Sequence, residues 1–245
     1  MTYNYVDIGI ALILLFTLVE GYIRGFIRSM LGILGYIAAF LVAQTYAATV
    51  ADYALTHFEQ VRQMKANIAE RVISTFNSNV SMSTALESGS NAQISQALEN
   101  GNVMEQLQLP EGIQSQLLSF ANNADLANSQ SNAVNALAEN IASGVIYGLS
   151  FIAVVIGVLL VIKIGGLILE GIAKLPVLKQ ANKLGGVIFG LVKGLLLIFL
   201  FMALAAFTAP LTTNLDLIPT IQQSTLGVWF YNNNVLLILL EFFLR

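Results

Sequence analysis

The sixteen residues EGYIRGFIRSMLGILG, from Glu20 to Gly35, place three charged side chains between two long apolar runs. Glu20, Arg24 and Arg28 follow one another at steps of four, which puts them on one face if the stretch is a single helix. The stretch therefore connects two hydrophobic segments, and its charges bear on how those segments are held in a membrane.

The composition of the whole chain agrees with a membrane location. Of its 245 residues 56% are hydrophobic and only 10% are charged, and the mean hydropathy is +0.75. Soluble domains carry about 25% charged residues. The chain has no cysteine and a single histidine, His57, which removes disulfides, thiolate metal sites and most imidazole chemistry. These values predict an integral membrane protein without a metal or cofactor.

Four apolar segments have about the 20 residues that a helix needs to cross a bilayer. They are Tyr3–Tyr22, Ser29–Val50, Ile141–Ile162 and Gly185–Ala209. The uncharged core of the first segment is short, so a tilted or re-entrant helix stays open there. No Lys or Arg precedes it, so we expect it to be retained rather than cleaved as a signal peptide. A last apolar piece, Val235–Leu244, is too short to span and is expected to lie in the interface.

The basic residues predict the orientation. Seven of eleven lie at two short connections, namely Arg24 and Arg28 in the first and Lys163, Lys174, Lys179, Lys183 and Lys193 around the second. Lys and Arg in short loops stay on the cytoplasmic side. We therefore expect residues 52–140 and both termini to face outward. Glu20, Arg24 and Arg28 could also form an ion pair within the bundle, and Asp7, Lys163 and Lys193 are candidates for either role.

Residues 52–140 have a different character from the apolar segments. They contain nine acidic against three basic residues, and twelve asparagines. Apolar residues recur at helical spacing from Leu55 to Phe76, which indicates an amphipathic helix. Pro110 followed by Ile113 and Leu117 resembles another helix start. The segment is expected to form a small helical cap on the extracytoplasmic face.

Small residues form two predicted contact faces. Gly186, Gly190 and Gly194 are spaced by four in the last long segment, and Gly21, Gly25 and Gly32 form a similar set across the first two. In lipid such faces let helix backbones approach closely. Packing within one bundle and contact between copies or around a pore both fit this pattern.

The fold class predicted from these patterns is an all-α integral membrane protein. It has about four transmembrane helices, a helical extracytoplasmic cap and a C-terminal interfacial helix. The corresponding regions are 1–51 and 141–210 for the two helix pairs, 52–140 for the cap and 211–245 for the C-terminal segment.

Several of these motifs together resemble the colicin V production protein (CvpA) family over roughly two-thirds of the chain. They are Asp7 opening an apolar helix, Gly21-x-x-Arg24-Gly25-Phe26, the stretch from Lys174-Leu175-Pro176 to Gly185-Gly186-x-x-x-Gly190, and Ser224-x-Leu226 followed by Trp229-Phe230-Tyr231 and Asn234. The resemblance implies a bacterial inner-membrane protein linked to production or export of a peptide toxin, such as colicin V or a similar bacteriocin, and to envelope homeostasis.

Two functions from different classes follow. The sequence contains no nucleotide-binding loop, metal-ligand spacing, nucleophile–base set or nucleic-acid patch, so we expect a non-enzymatic accessory protein. Its expected partners are the lipid bilayer, membrane or export proteins, or further copies of itself. The alternative is a small channel or transporter subunit, because ionisable residues such as Glu20 and Lys193 lie within or beside apolar segments.

Overall fold

The computed structural model describes residues 4–78, 130–169, 179–211 and 217–238, together with positions 94, 96–98, 114 and 118. Nearly all of these residues are helical, and no strand occurs among them. In chain order the helices are α1 (Tyr5–Arg24), α2 (Phe26–His57), α3 (Glu59–Ser78), α4 (Gln130–Leu169), α5 (Lys179–Thr208), a 3₁₀ turn (Ala209–Leu211), α6 (Leu217–Gln222) and α7 (Thr225–Asn232).

Four of these helices are long and apolar enough to cross a membrane. The candidate spans are Tyr5–Arg24, Arg28–His57, Val134–Ile164 and Asn182–Thr208. This confirms the predicted all-α fold with four membrane helices. The first span is a continuous helix of 20 residues, which is the length required for a full crossing.

The four spans form one bundle in which α5 packs against both α1 and α2, while α2 also packs against α4. Three alanines of α2 at steps of four, Ala39, Ala43 and Ala47, are completely buried. Their small side chains let α4 approach closely, as small residues do between membrane helices. In the same contact between α2 and α4, the rings of Phe40 and Phe151 meet edge to face with centroids 5.4 Å apart.

Helix α3 packs against the N-terminal part of α4, and the two form what we call the α3–α4 layer. Its core contains Ile68, Val72 and Phe76 of α3 with Leu137 and Ile141 of α4, all buried. Helix α4 has 40 residues, or about 60 Å at 1.5 Å per residue, which is twice the thickness of the hydrocarbon core. Its N-terminal part therefore has length to spare outside the membrane.

The amphipathic helix predicted from Leu55 begins later than expected. Phe58 has extended backbone angles and ends α2, so Leu55 belongs to α2 and α3 starts at Glu59. Apolar spacing continues across this break, which is why the sequence pattern did not show it. The helix predicted to start near Pro110 lies outside the described residues, apart from Gln114 and Leu118.

The C-terminal elements pack onto the spans. Ile218, Ile221, Phe230 and Tyr231 share a core with residues of α1, α2, α4 and α5. Asn234 is buried, and its side-chain amide donates a hydrogen bond to the carbonyl of Phe199 at 2.8 Å. Of the predicted interfacial piece 235–244, residues 235–238 are helical and the remainder lies outside the described part of the chain.

Candidate functional site

Helices α1 and α5 cross at a contact made by glycine. A Cβ atom on Gly21 would overlap the carbonyl oxygen of Gly186, and one on Gly186 would overlap that of Gly21. A Cβ atom on Gly190 would meet the carbonyl of Thr17. Backbone atoms cannot move aside one by one, so these positions accept only glycine without a shift of whole helices.

Thr17 completes this contact and was not singled out by the sequence patterns. It is 1% exposed, and its hydroxyl donates to the carbonyls of Ile13 and Leu14, both at 3.0 Å. Its side chain lies against Gly194 of α5. A hydroxyl that donates its hydrogen bond to carbonyls of its own helix can be buried in an apolar contact at low cost in free energy.

Gly25 separates α1 from α2. Its backbone φ of +78° is one that residues with a Cβ atom rarely adopt. The side chain of Asn182 also lies where a Cβ of residue 25 would be. The break falls in the connection expected between the first two spans, and the alternative in which Glu20, Arg24 and Arg28 share one helix face is wrong for Arg28, which lies on the next helix.

Glu20 is shared by two cations. Its carboxylate accepts a hydrogen bond from the ammonium group of Lys193 on α5 at 2.7 Å and pairs with Arg24 on α1 at 3.1 Å. Glu20 and Lys193 are 19% and 22% exposed, so both are largely withdrawn from solvent. This pair ties α1 to α5 directly beside the glycine contact.

Arg28 reaches the same place from α2. A cavity of about 30 Å³ is lined by Thr17, Glu20, Gly21, Arg24, Arg28, Ser29, Gly32, Gly190 and Lys193. Gly32, which the sequence grouped with the packing glycines, faces this open space and a Cβ there would meet no atom within 4 Å. Three cations and one carboxylate therefore surround the cavity, and we call this set the charge cluster.

Asp7 lies at the other end of α1 and binds the start of α7. Its carboxylate accepts hydrogen bonds from the hydroxyl of Ser224 at 2.6 Å and from the backbone of Leu226 at 2.8 Å. Ser224 in turn accepts a bond from the backbone of Gly227 at 2.7 Å, as an N-cap residue does. A carboxylate at a helix N-terminus also favours the helix dipole. Asp7 therefore fastens the C-terminal elements to α1.

Lys163 is the remaining ionisable residue predicted from the sequence. It is exposed near the end of α4 and makes no ion pair within the described part of the chain. Among the described residues, no group of three or more His, Asp or Glu side chains is placed to hold a metal ion. The chemistry that the charge cluster offers is the binding of an anionic group.

Comparison with known proteins agrees with the motifs. A family model described as "Colicin V production protein" matches residues 6–82 and 124–234. The two ranges contain both sides of the glycine contact, the charge cluster and the Asp7–Ser224 hydrogen bond. No curated protein and no solved structure matches the chain.

Proposed function

The chain belongs to the colicin V production protein family, and from this membership we propose that it is a non-enzymatic accessory protein of the bacterial cytoplasmic membrane. It takes part in the production or export of a peptide toxin and in envelope homeostasis. Both short connections, after α1 and after α4, face the cytoplasm in this proposal. The α3–α4 layer then lies on the extracytoplasmic side.

The family match carries the proposal, and the α3–α4 layer supplies a surface on which a partner can dock. One face of α3 is buried against α4, whereas Gln63, Asn67 and Glu70 on the opposite face are exposed. Helix α3 itself carries two acidic and three basic residues, so its charges are mixed in sign. A membrane or export protein whose own surface carries charges of both signs would complement it.

Site-specific photo-crosslinking tests this proposal in toxin-producing cells that lack the native chain. A photoreactive residue at Gln63 or Asn67 should trap another protein, and the same variants should restore toxin export. The matched control is Leu160, which is exposed on α4 within a span and should trap lipid. Restored export with no protein trapped from either α3 position would contradict docking through this face.

A small channel or transporter subunit is the second candidate. The observation that favours it is the Glu20–Lys193 pair beside a cavity within the candidate spans, since ionisable groups at membrane depth often serve ion or proton movement. Ion flux through liposomes that contain the purified protein tests it. Flux that is lost in Glu20→Gln supports transport, and absence of flux under both voltage and osmotic tension removes this candidate.

A further inference from the structure

The charge cluster carries excess positive charge. Arg24, Arg28 and Lys193 surround one carboxylate, Glu20, which already pairs with the first and the last of them. Arg28 is exposed and makes no ion pair within the described part of the chain. The cluster therefore has a net charge of +2 near the end of two spans, where an anion would be attracted.

A polar side chain without a partner lies in the same cavity. Ser29, in the first turn of α2, is buried and lines the cavity together with Arg28. Its backbone amide bonds to the carbonyl of Gly25, whereas its hydroxyl has no hydrogen-bond partner within the described residues. Among the described residues the only buried side-chain oxygen without a partner is Asn182 Oδ1, so the Ser29 hydroxyl is open to the cavity and can donate to a ligand there. The free hydroxyl and the unpaired guanidinium fit one oxygen-rich ligand.

An apolar cavity follows the charge cluster along the same two helices. It has a volume of about 200 Å³ and is lined by Tyr36, Ile37, Phe40, Val155, Leu196, Leu200 and Leu236. Helices α2 and α5 run in the same direction, since Phe26 meets Phe189 with ring centroids 5.0 Å apart and, further along both helices, Phe40 and Leu200 line one cavity. Ile37 is half-exposed, so the cavity opens at the surface of the bundle.

The two cavities are in register. Ser29 and Tyr36 are seven residues apart on α2, and Lys193 and Leu200 are seven apart on α5, which places the apolar cavity about 10 Å deeper than the charges. A phospholipid has the same order of groups, with a phosphate at the surface and acyl chains below it. Basic pockets between membrane helices bind anionic headgroups in this manner.

We propose that the cleft between α2 and α5 binds one anionic phospholipid. Its phosphate lies among Arg24, Arg28 and Lys193, with the hydroxyl of Ser29 as a further donor, and one acyl chain follows Tyr36 and Leu200. This inference does not depend on the proposed role in toxin export. It concerns the leaflet at the start of α2, whichever side of the membrane that is.

Native mass spectrometry of the delipidated protein tests the proposal with phosphatidylglycerol, with phosphatidylcholine of the same acyl chains, and with inorganic phosphate. We expect one phosphatidylglycerol to bind each chain more tightly than phosphatidylcholine. Inorganic phosphate should compete weakly, because it cannot fill the apolar cavity. Equal binding of the two lipids, or full displacement by millimolar phosphate, would overturn the proposal.

Two pairs of variants locate the binding site. Gly32→Leu fills the charged cavity from a position with open space and should reduce binding at least tenfold, whereas Gly157→Leu, also in open space on α4, should not. Arg28→Gln should weaken binding about fivefold, the effect of one basic residue near an anionic surface, whereas Lys163→Gln should leave it unchanged. Wild-type binding by Gly32→Leu would overturn the site.

A second copy of the chain is the other candidate occupant of this cleft. The mass of the lipid-free protein decides between the two. A monomer that binds phosphatidylglycerol supports the proposal. A dimer that Gly32→Leu dissociates without changing lipid binding would overturn it and assign the cleft to self-association.

Discussion

At the residue scale, the contact between α1 and α5 depends on the absence of side chains at one position more than on any attractive pair. Gly21 lies against the backbone of Gly186 and Gly190, whereas Gly9 on the same helix has no neighbour within 4 Å of a Cβ position. Both glycines lie in α1, but only Gly21 is in a close contact. Replacing each with alanine therefore distinguishes the effect of packing on stability from the effect of helix propensity.

Gly21→Ala should lower the free energy of unfolding by about 1–3 kcal/mol, because the added methyl forces two helices apart. Gly9→Ala should be neutral or stabilising by up to about 1 kcal/mol, since alanine is the better helix former. Thermal unfolding of the purified variants in the same detergent measures both. Equal stabilities would show that the glycine contact is not tight in the protein.

Glu20 is the second residue on which this contact depends. In Glu20→Gln both Lys193 and Arg24 lose their carboxylate, and Lys193 is largely withdrawn from solvent. Breaking a fully buried pair costs about 3–5 kcal/mol, and this pair is partly exposed, so we expect about 1–3 kcal/mol.

An exposed pair on α3 provides the control for Glu20. Glu59→Gln removes the partner of Arg62, where both side chains are about half-exposed, and should cost less than about 1 kcal/mol. The double variant Glu20→Lys with Lys193→Glu exchanges the two charges and should recover part of the lost stability. A Glu20→Gln variant no less stable than Glu59→Gln would contradict a structural role for the pair.

At the scale of elements, Asp7 joins the two ends of the described chain. Its carboxylate holds the hydroxyl of Ser224 and the first amides of α7. Asp7→Asn keeps the shape of the side chain but removes its charge, which should weaken its interaction with the start of α7 by about 1 kcal/mol. Hydrogen exchange in Thr225–Asn232 should then be about fivefold faster.

An acidic residue outside this contact provides the comparison for Asp7. Asp52 is exposed near the end of α2, and Asp52→Asn should leave exchange in α7 unchanged. If Asp7→Asn and Asp52→Asn gave the same exchange rates in α7, the carboxylate would not be fastening that helix.

The α3–α4 layer is expected to open independently of the spans, because its buried residues form a cluster distinct from that of the spans, with Leu149 packed against both. Phe76 is completely buried in this core, and Phe76→Ala should cost about 3–5 kcal/mol. Limited proteolysis should then cut α3 while the membrane helices stay protected. Asn77→Ala, one residue further and exposed, should leave α3 resistant. Loss of protection in α4 and α5 at the same time would show a single cooperative unit.

Periodicity predicted the elements better than their ends. The length of the apolar segments located all four spans, because a run of about twenty apolar residues is what a helix needs to cross a bilayer. The connection around Gly25 was predicted, whereas the break at Phe58 was missed because the spacing of apolar side chains continues across it. The hydrogen bond between Asp7 and Ser224 joins residues 217 positions apart, and no local pattern reports on such a contact.

Similar reasons apply to the charge cluster. Glu20, Arg24, Arg28 and Lys193 stood out because charge is rare in this chain. Thr17 and Ser29 did not. The hydroxyl of Thr17 bonds to its own backbone and leaves no trace in the pattern, and the place of Ser29 in the cavity depends on where α1 and α5 lie. That Gly21 packs while Gly32 faces a cavity depends on the position of α5, which the sequence spacing does not contain.

At the scale of the whole molecule, the apolar surface requires a covering. Large apolar side chains are exposed along α1 and α2, including Leu12, Phe16, Leu31 and Leu41. In a bilayer these side chains contact lipid at no cost. The bundle therefore needs a defined position in the membrane, and we expect the two short connections on one side and the α3–α4 layer on the other.

Cysteine labelling tests this orientation most directly, because the chain has no cysteine of its own. Single cysteines are introduced at Asn67, exposed on α3, and at Gln180, near the start of α5. In intact spheroplasts a membrane-impermeant maleimide should label Asn67→Cys fully, and Gln180→Cys only after permeabilisation. In the opposite orientation each Lys or Arg of the short connections would have to cross the bilayer, at a free-energy cost of about 2.5–3.5 kcal/mol at its centre. Labelling of Gln180→Cys from outside, with Asn67→Cys protected, would contradict the account.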